Sequence, residues 1–323
     1  MQLYIDKENL QSFINSSKDP LYADCTKTMQ RQLDISFNFS KEELKTDEFL
    51  LKWFSVLTEG VNDTKKEFNE VKFPDRPLKS NSYNSFDINQ LSAIYLINDE
   101  RISALKDIGA ILIGDIGEEI DVLKQLFLYQ NDYIFDRELR IGSLEFSKWE
   151  HLEPFITPLT EIVVIDPYIL KNSERENTTI DENLIKWLNI LCGKAKNKVN
   201  ISIVYSTANL SYSLEEVKKK IIQKLFETLG DKKPNLTFIS TFKEHDRSII
   251  TNYLRISGNT FNYWNERGQQ ITKGKEVTIK CLARKEYHLN MLEAIKDVQS
   301  IIDGSNNSEA IIGDKKSNFL IFS

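Results

Sequence analysis

The stretch Glu161-Ile162-Val163-Val164-Ile165-Asp166-Pro167-Tyr168 decides the architecture. Four consecutive branched aliphatic residues leave no polar side, as in a strand buried on both faces, and Pro167 cannot extend the ladder. Such a strand needs helices over its sheet, so strand and helix should alternate after it. They do. A capping box at Thr179-x-x-Glu182 opens a helix with Leu184, Trp187, Leu188 and Leu191 on one side. Val199, Ile201, Ile203 and Tyr205 alternate as the next strand, and Ser213-x-x-Glu216 caps a helix running to Gly230. Strands follow at Leu236–Thr241, around residue 245 and at Val277–Leu282. A last helix carries Met291, Ile295, Val298 and Ile302. This βαβαββ order predicts an α/β sandwich, with Asp166 at the strand edge where such sheets bind ligands and Tyr168 beside it.

Within that frame lies Lys243-Glu244-His245-Asp246-Arg247-Ser248-Ile249-Ile250-Thr251-Asn252, followed by Ser257-Gly258-Asn259-Thr260-Phe261-Asn262. On a strand, residues two apart share a face, which puts an imidazole beside a guanidinium. Arginine clamps phosphate oxygens bidentately, while histidine attacks phosphorus or moves a proton.

The spacing resembles the signature of the phospholipase D superfamily, His-x-Lys-x4-Asp and then Gly-Ser-x-Asn. The resemblance covers about residues 155–305 and implies a phospholipase-D-like α/β sandwich acting on phosphodiesters without metal or cofactor. It makes His245 the nucleophile or acid, Arg247 the counterpart of lysine and Asn252 that of aspartate. Thr251, Arg255, Ser257, Asn259 and Asp166 become the expected phosphate-binding set. The His-Asp-Arg variant is similar in style to the phospholipase-D-like carboxy-terminal domain of MIT-domain proteins, a module for acidic lipid. Asn for Asp removes a carboxylate that would orient the imidazole. His151 and His288 lie in no second copy of the motif. A catalytic form is therefore expected to be a homodimer that brings two His245 rings across a twofold axis.

Composition bounds the rest. With 323 residues, 41% hydrophobic and 11% aromatic, the chain holds one large or two ordinary domains with proper cores. No apolar run reaches bilayer length, and the start lacks a signal-peptide pattern, so a cytoplasmic protein without a transmembrane segment is expected. Cys25, Cys192 and Cys281 are too dispersed for structural zinc. Residues 1–150 carry 18 Lys and Arg against 27 Asp and Glu, and the remainder 24 against 21. This split predicts an acidic α/β domain at 1–150, docking or regulatory, and a phosphate-handling domain at 151–323.

In the first half, Leu3–Asp6 reads as a strand and Glu8–Asn15 as a helix. Ser40-x-x-Glu43 caps a long helix ending at Gly60, and residues 61–90 form a polar loop. Ala93–Asn98 and Ala110–Gly114 read as strands and Glu118–Leu128 as a helix. Leu3-Tyr4-Ile5-Asp6 also resembles the opening of NYN/PIN-type ribonucleases. That resemblance makes Asp6, Asp99 and Asp115 a hard-cation set.

The functional expectation is a phosphate-recognising protein that binds DNA, RNA or another phosphate-bearing ligand, with metal-independent nuclease activity through His245 in its catalytic form. Arg247, Arg255, Lys273 and Lys275 supply charge, and Tyr253, Phe261, Tyr263 and Trp264 supply stacking or, by default, core. The alternatives are a non-catalytic scaffold or regulatory subunit of an antiviral-defence-type system, docking a protein through the first domain, and the NYN/PIN-like ribonuclease.

Overall fold

A computed structural model describes residues 2–15, 34–37, 39, 41–58, 91–96, 112–114, 136–171, 178–210, 213–241, 247–271, 275–305 and 310–322. The chain is mixed α/β and divides into two compact units. One comprises residues 1–135 with 283–288, the other 136–282 with 289–323.

The first unit holds a parallel sheet ordered β2-β1-β3-β4. Its strands are β1 (Gln2–Ile5), β2 (Asp34–Phe37), β3 (Ile94–Leu96) and β4 (Leu112–Gly114). Leu3, Ile5, Ile94 and Leu96 are buried, as near-continuous apolar parallel strands require. Asp6 ends β1 and caps helix α1 (Lys7–Asn15): its Oδ1 accepts from the backbone N of Asn9 at 2.8 Å and from Asn9 Nδ2 at 3.0 Å. Asp6 is thus occupied as a helix cap, while Asp99 and Asp115 lie outside the described residues. The expected long helix is two, α2 (Lys41–Thr46) and α3 (Glu48–Thr58). Asp47 makes the break, because its Oδ1 accepts from the N–H groups of Phe49 and Leu50 and so starts a new helix. Cys25, Ser40, the loop at 61–90 and the helix at 118–128 lie outside the described residues.

The second unit is built on a mixed sheet of eight strands ordered β12-β8-β7-β6-β9-β10-β11-β5. They are β5 (Asp136–Arg140), β6 (Leu159–Ile165), β7 (Ala195–Tyr205), β8 (Asn235–Ser240), β9 (Ser248–Thr251), β10 (Leu254–Gly258), β11 (Glu276–Cys281) and β12 (Ile311–Gly313). β6, β7 and β8 run parallel, and every other neighbour is antiparallel. β6 is buried at all positions, as its apolar run requires. Three strands escaped the sequence pattern. Among them β5 moves the start of this unit from residue 151 back to 136: it pairs with β11, Glu138 opposite Thr278. Its charges suit an edge strand and hide it from any search for apolar alternation.

Between β6 and β7 a π-helical segment (Thr178–Ile185) leads into α4 (Lys186–Cys192), burying Ile180, Leu184, Trp187, Leu188 and Leu191. α5 (Leu214–Leu229) carries the expected capping box at Ser213 and Glu216 and ends at Gly230. Helix α6 (Lys285–Gly304) holds Met291, Ile295, Val298 and Ile302 buried, with His288 also sheltered. Burial pushes the Cys192 thiol up to about 12, so it is an inert core group.

Side chains alternate across the sheet, and the register sorts them into two faces. Thr160, Ile162, Val164 and, beyond the strand end, Asp166 share one face. Glu161, Val163 and Ile165 share the other. Opposed residues point the same way, so Ser248 and Ile250, Arg255 and Ser257, and Thr278 and Lys280 all belong to the Glu161 face. Near the amino end of β6, the Glu161 carboxylate accepts from Asn200 Nδ2 (2.6 Å), Ser317 Oγ (3.0 Å), Asn318 N (3.2 Å) and Asn318 Nδ2 (2.9 Å). This clasp holds the chain after β12 against the sheet. Burial nevertheless raises Glu161 to about 7, outweighing the donors of Asn200, Ser317 and Asn318.

Candidate functional site

At the carboxy end of β6 the chain turns at Pro167, and Asp166 is left 2% exposed. Its Oδ1 accepts from Tyr168 N at 2.9 Å and lies 3.3 Å from Arg247 Nε, and Phe261 N also donates to the carboxylate. Burial raises the Asp166 pKa above the ordinary carboxylate value despite the opposing pull of those two N–H groups and the guanidinium. Desolvation outweighs the attraction of Arg247, so this ion pair is a poor source of stability. What it does is fix the arginine. Arg247 is held through Nε, it is 28% exposed, and among the described residues neither of its Nη atoms has a partner. Its guanidinium lies 5.0 Å from the centre of the Tyr168 ring, and Lys171 Nζ lies 6.0 Å from the same ring. Two cations therefore converge on one half-exposed aromatic at the sheet edge, an arrangement suited to an anion.

Tyr263 completes the floor. Its hydroxyl is buried with no hydrogen-bond partner among the described residues. Burial raises its pKa, the Asp166 charge adds to the rise and Arg247 opposes it. The hydroxyl fits because residue 258 is glycine: a Cβ there would stand 2.6 Å from it. Gly258 N also donates to Arg247 O at 3.3 Å, tying the end of β10 to the start of β9.

A buried hub that the sequence reading missed positions this loop. Asn183 Oδ1 accepts from Trp149 Nε1 and from the backbone of Tyr263 and Trp264, while Nδ2 donates to Asn262 Oδ1 and Trp264 O. Around it pack Phe146, Trp149, Tyr263 and Trp264. The available signal was an asparagine interrupting the apolar stripe Ile180–Leu184–Trp187.

The expected site residues separate into three groups. Arg247 and Asp166 meet, with Asn259 exposed in the turn after β10. Arg255 and Ser257 lie on the Glu161 face instead. Thr251 and Asn252 sit at the far end of β9, about five residues or roughly 16 Å from Arg247 along the chain. There Asn252 Oδ1 accepts from the N–H groups of Thr160 (2.9 Å) and Glu161 (3.0 Å), and its Nδ2 donates to Thr160 Oγ1. Thr251 Oγ1 accepts from Leu254 N in the bend. These side chains are committed to joining β9 to β6. His245 lies outside the described residues, as does Lys273, and Arg247 precedes β9 rather than forming part of it. Tyr253, Phe261, Tyr263 and Trp264 are core, which removes them as stacking platforms. No group of three or more metal-ligating side chains occurs among the described residues, and no helix there is long and apolar enough to cross a membrane.

No family model matches the chain, and no curated protein matches it. Among solved structures it is similar to the phosphatidylserine synthase of Haemophilus influenzae Rd KW20, at 11% identity and a TM-score of 0.31. The likeness covers 68% of this chain and 48% of that one, so the chain spans about half the length of that protein.

Proposed function

We propose that this chain recognises a phosphate group, as found in a nucleic-acid backbone or another phosphodiester, at the Arg247 site. The single observation supporting the reading is a guanidinium anchored through Nε by a buried carboxylate, with its Nη edge unpartnered among the described residues. A buried acid whose desolvation exceeds its pairing energy is a costly way to hold an arginine unless the outer edge of that arginine has work to do. Tyr168 and Lys171 extend the same anionic complementarity. The resemblance of His245-x-Arg247 to the phospholipase D signature is consistent with a phosphodiester ligand.

The test is fluorescence anisotropy with labelled single- and double-stranded DNA and RNA in EDTA. Arg247→Ala should weaken binding by at least about tenfold and reduce the slope of log affinity against log salt by about one. Equal binding and salt slope in wild type and variant would remove the reading. Cleavage products in the same reactions, lost in His245→Ala, would extend it from recognition to hydrolysis.

A further inference from the structure

On the opposite face of the sheet, β9, β10 and β11 set Ser248, Ser257 and Thr278 in one row and Ile250, Arg255 and Lys280 in the next. Arg255 is half-buried, its Nε is fully enclosed, and it has neither a hydrogen bond nor a carboxylate partner among the described residues. Ser248 is completely buried, and its hydroxyl is likewise without a partner there. Ser257 lies directly across from Ser248 and two residues along from Arg255, so all three side chains converge on one patch.

The neighbouring cation does not share this condition. Lys280 stands opposite Asp136 in register and pulls on the Glu138 carboxyl. It also stands directly opposite Arg255, and like charges across adjacent strands repel. An enclosed guanidinium nitrogen and an enclosed hydroxyl, each without a partner among the described residues, are costly in a folded protein. One bound anion answers both.

We infer that this face carries a second anion site, with the Arg255 guanidinium and the hydroxyls of Ser248 and Ser257 as donors to the terminal phosphate of a monoester. Donors from two strands and two rows are not coplanar, which suits a tetrahedral oxyanion better than a flat carboxylate. The patch is closed at Ser248 and open at the half-buried Arg255 and Ser257. A closed end admits a terminal phosphate, whereas a phosphodiester needs two exits. The site is separate from the Arg247 site and does not depend on it.

The test titrates the full-length protein calorimetrically with inorganic phosphate and with glycerol 3-phosphate. A parallel arm measures co-sedimentation with phosphatidylcholine vesicles containing phosphatidic acid. Arg255→Gln should weaken the dependent binding at least about tenfold, the loss expected for a hydrogen bond to a charged group. Ser248→Ala, which removes one buried hydroxyl and little volume, should weaken it several-fold and keeps the test valid if Arg255→Gln fails to fold. Arg247→Ala should leave it intact. Arg255-dependent binding of the soluble phosphates supports the site, and such binding on vesicles alone supports it with lipid as the source. Binding to neither probe that responds to Arg255 or Ser248 overturns it, even where Arg247-dependent binding persists.

Discussion

Replacing Glu161 with glutamine should flatten the pH dependence of folding stability. Glu161 is buried on β6 among Asn200, Ser317 and Asn318, and its pKa rises from 4.5 to about 7 because burial outweighs those donors. A raised folded-state pKa means that the folded chain holds the proton more tightly than the unfolded chain. The stabilising contribution is therefore complete below about 4.5 and is lost as pH climbs through about 7. That interval corresponds to about 3 kcal/mol. Glutamine keeps the size and loses the titration. Its altered hydrogen bonding to Asn318 adds an offset that does not vary with pH. Urea midpoints, followed by fluorescence of the buried Trp149, Trp187 and Trp264, should be compared for both proteins from about pH 4.5 to about pH 8. The wild-type curve should fall relative to the variant by about 3 kcal/mol across that window. Parallel curves would refute the claim that this carboxyl carries its charge at a cost.

Two further substitutions separate scaffold from site. Asn252→Ala removes the acceptor of the Thr160 and Glu161 N–H groups, leaving buried donors unmet, and should cost about 2–4 kcal/mol in urea denaturation. Phosphate affinity of the folded variant should stay unchanged, and a selective loss of binding would instead return Asn252 to the site. Gly258→Ala drives a Cβ against the Tyr263 hydroxyl and should destabilise by about 1–3 kcal/mol. Tyr263→Phe in the same chain should recover most of that loss in a double-mutant cycle, and additivity would show that the two positions do not interact.

The sequence made the central strands and their helices legible because burial imposes long apolar runs and capping boxes leave fixed spacings. Ile162–Ile165 and Ser213–Glu216 are the clearest cases. β5, β10 and β12 were not legible, since short edge or hairpin strands carry three to five residues of mixed polarity. Asp166 stood out by its strand-end position and Arg247 by its spacing from His245, and the structure pairs the two side chains. Asn252 lies away from Arg247, and linear spacing says nothing about direction. The intervening residues form an extended strand that carries position 252 away from the site. Asn183 went unread because its value lies in five contacts with distant segments.

The Thr251–Asn252 bend has a consequence for how this protein can tolerate change. Strand side chains have a repeat of two, so a length change between β9 and β10 that slipped β10 by one residue in its pairing would invert the two faces of that strand. Arg255 and Ser257 would swing toward the layer occupied by Asp166, while Leu254 and Ile256 would take their places. Point substitutions around this hairpin perturb one face of the sheet at a time, but a one-residue slip exchanges the chemistry of the two sides.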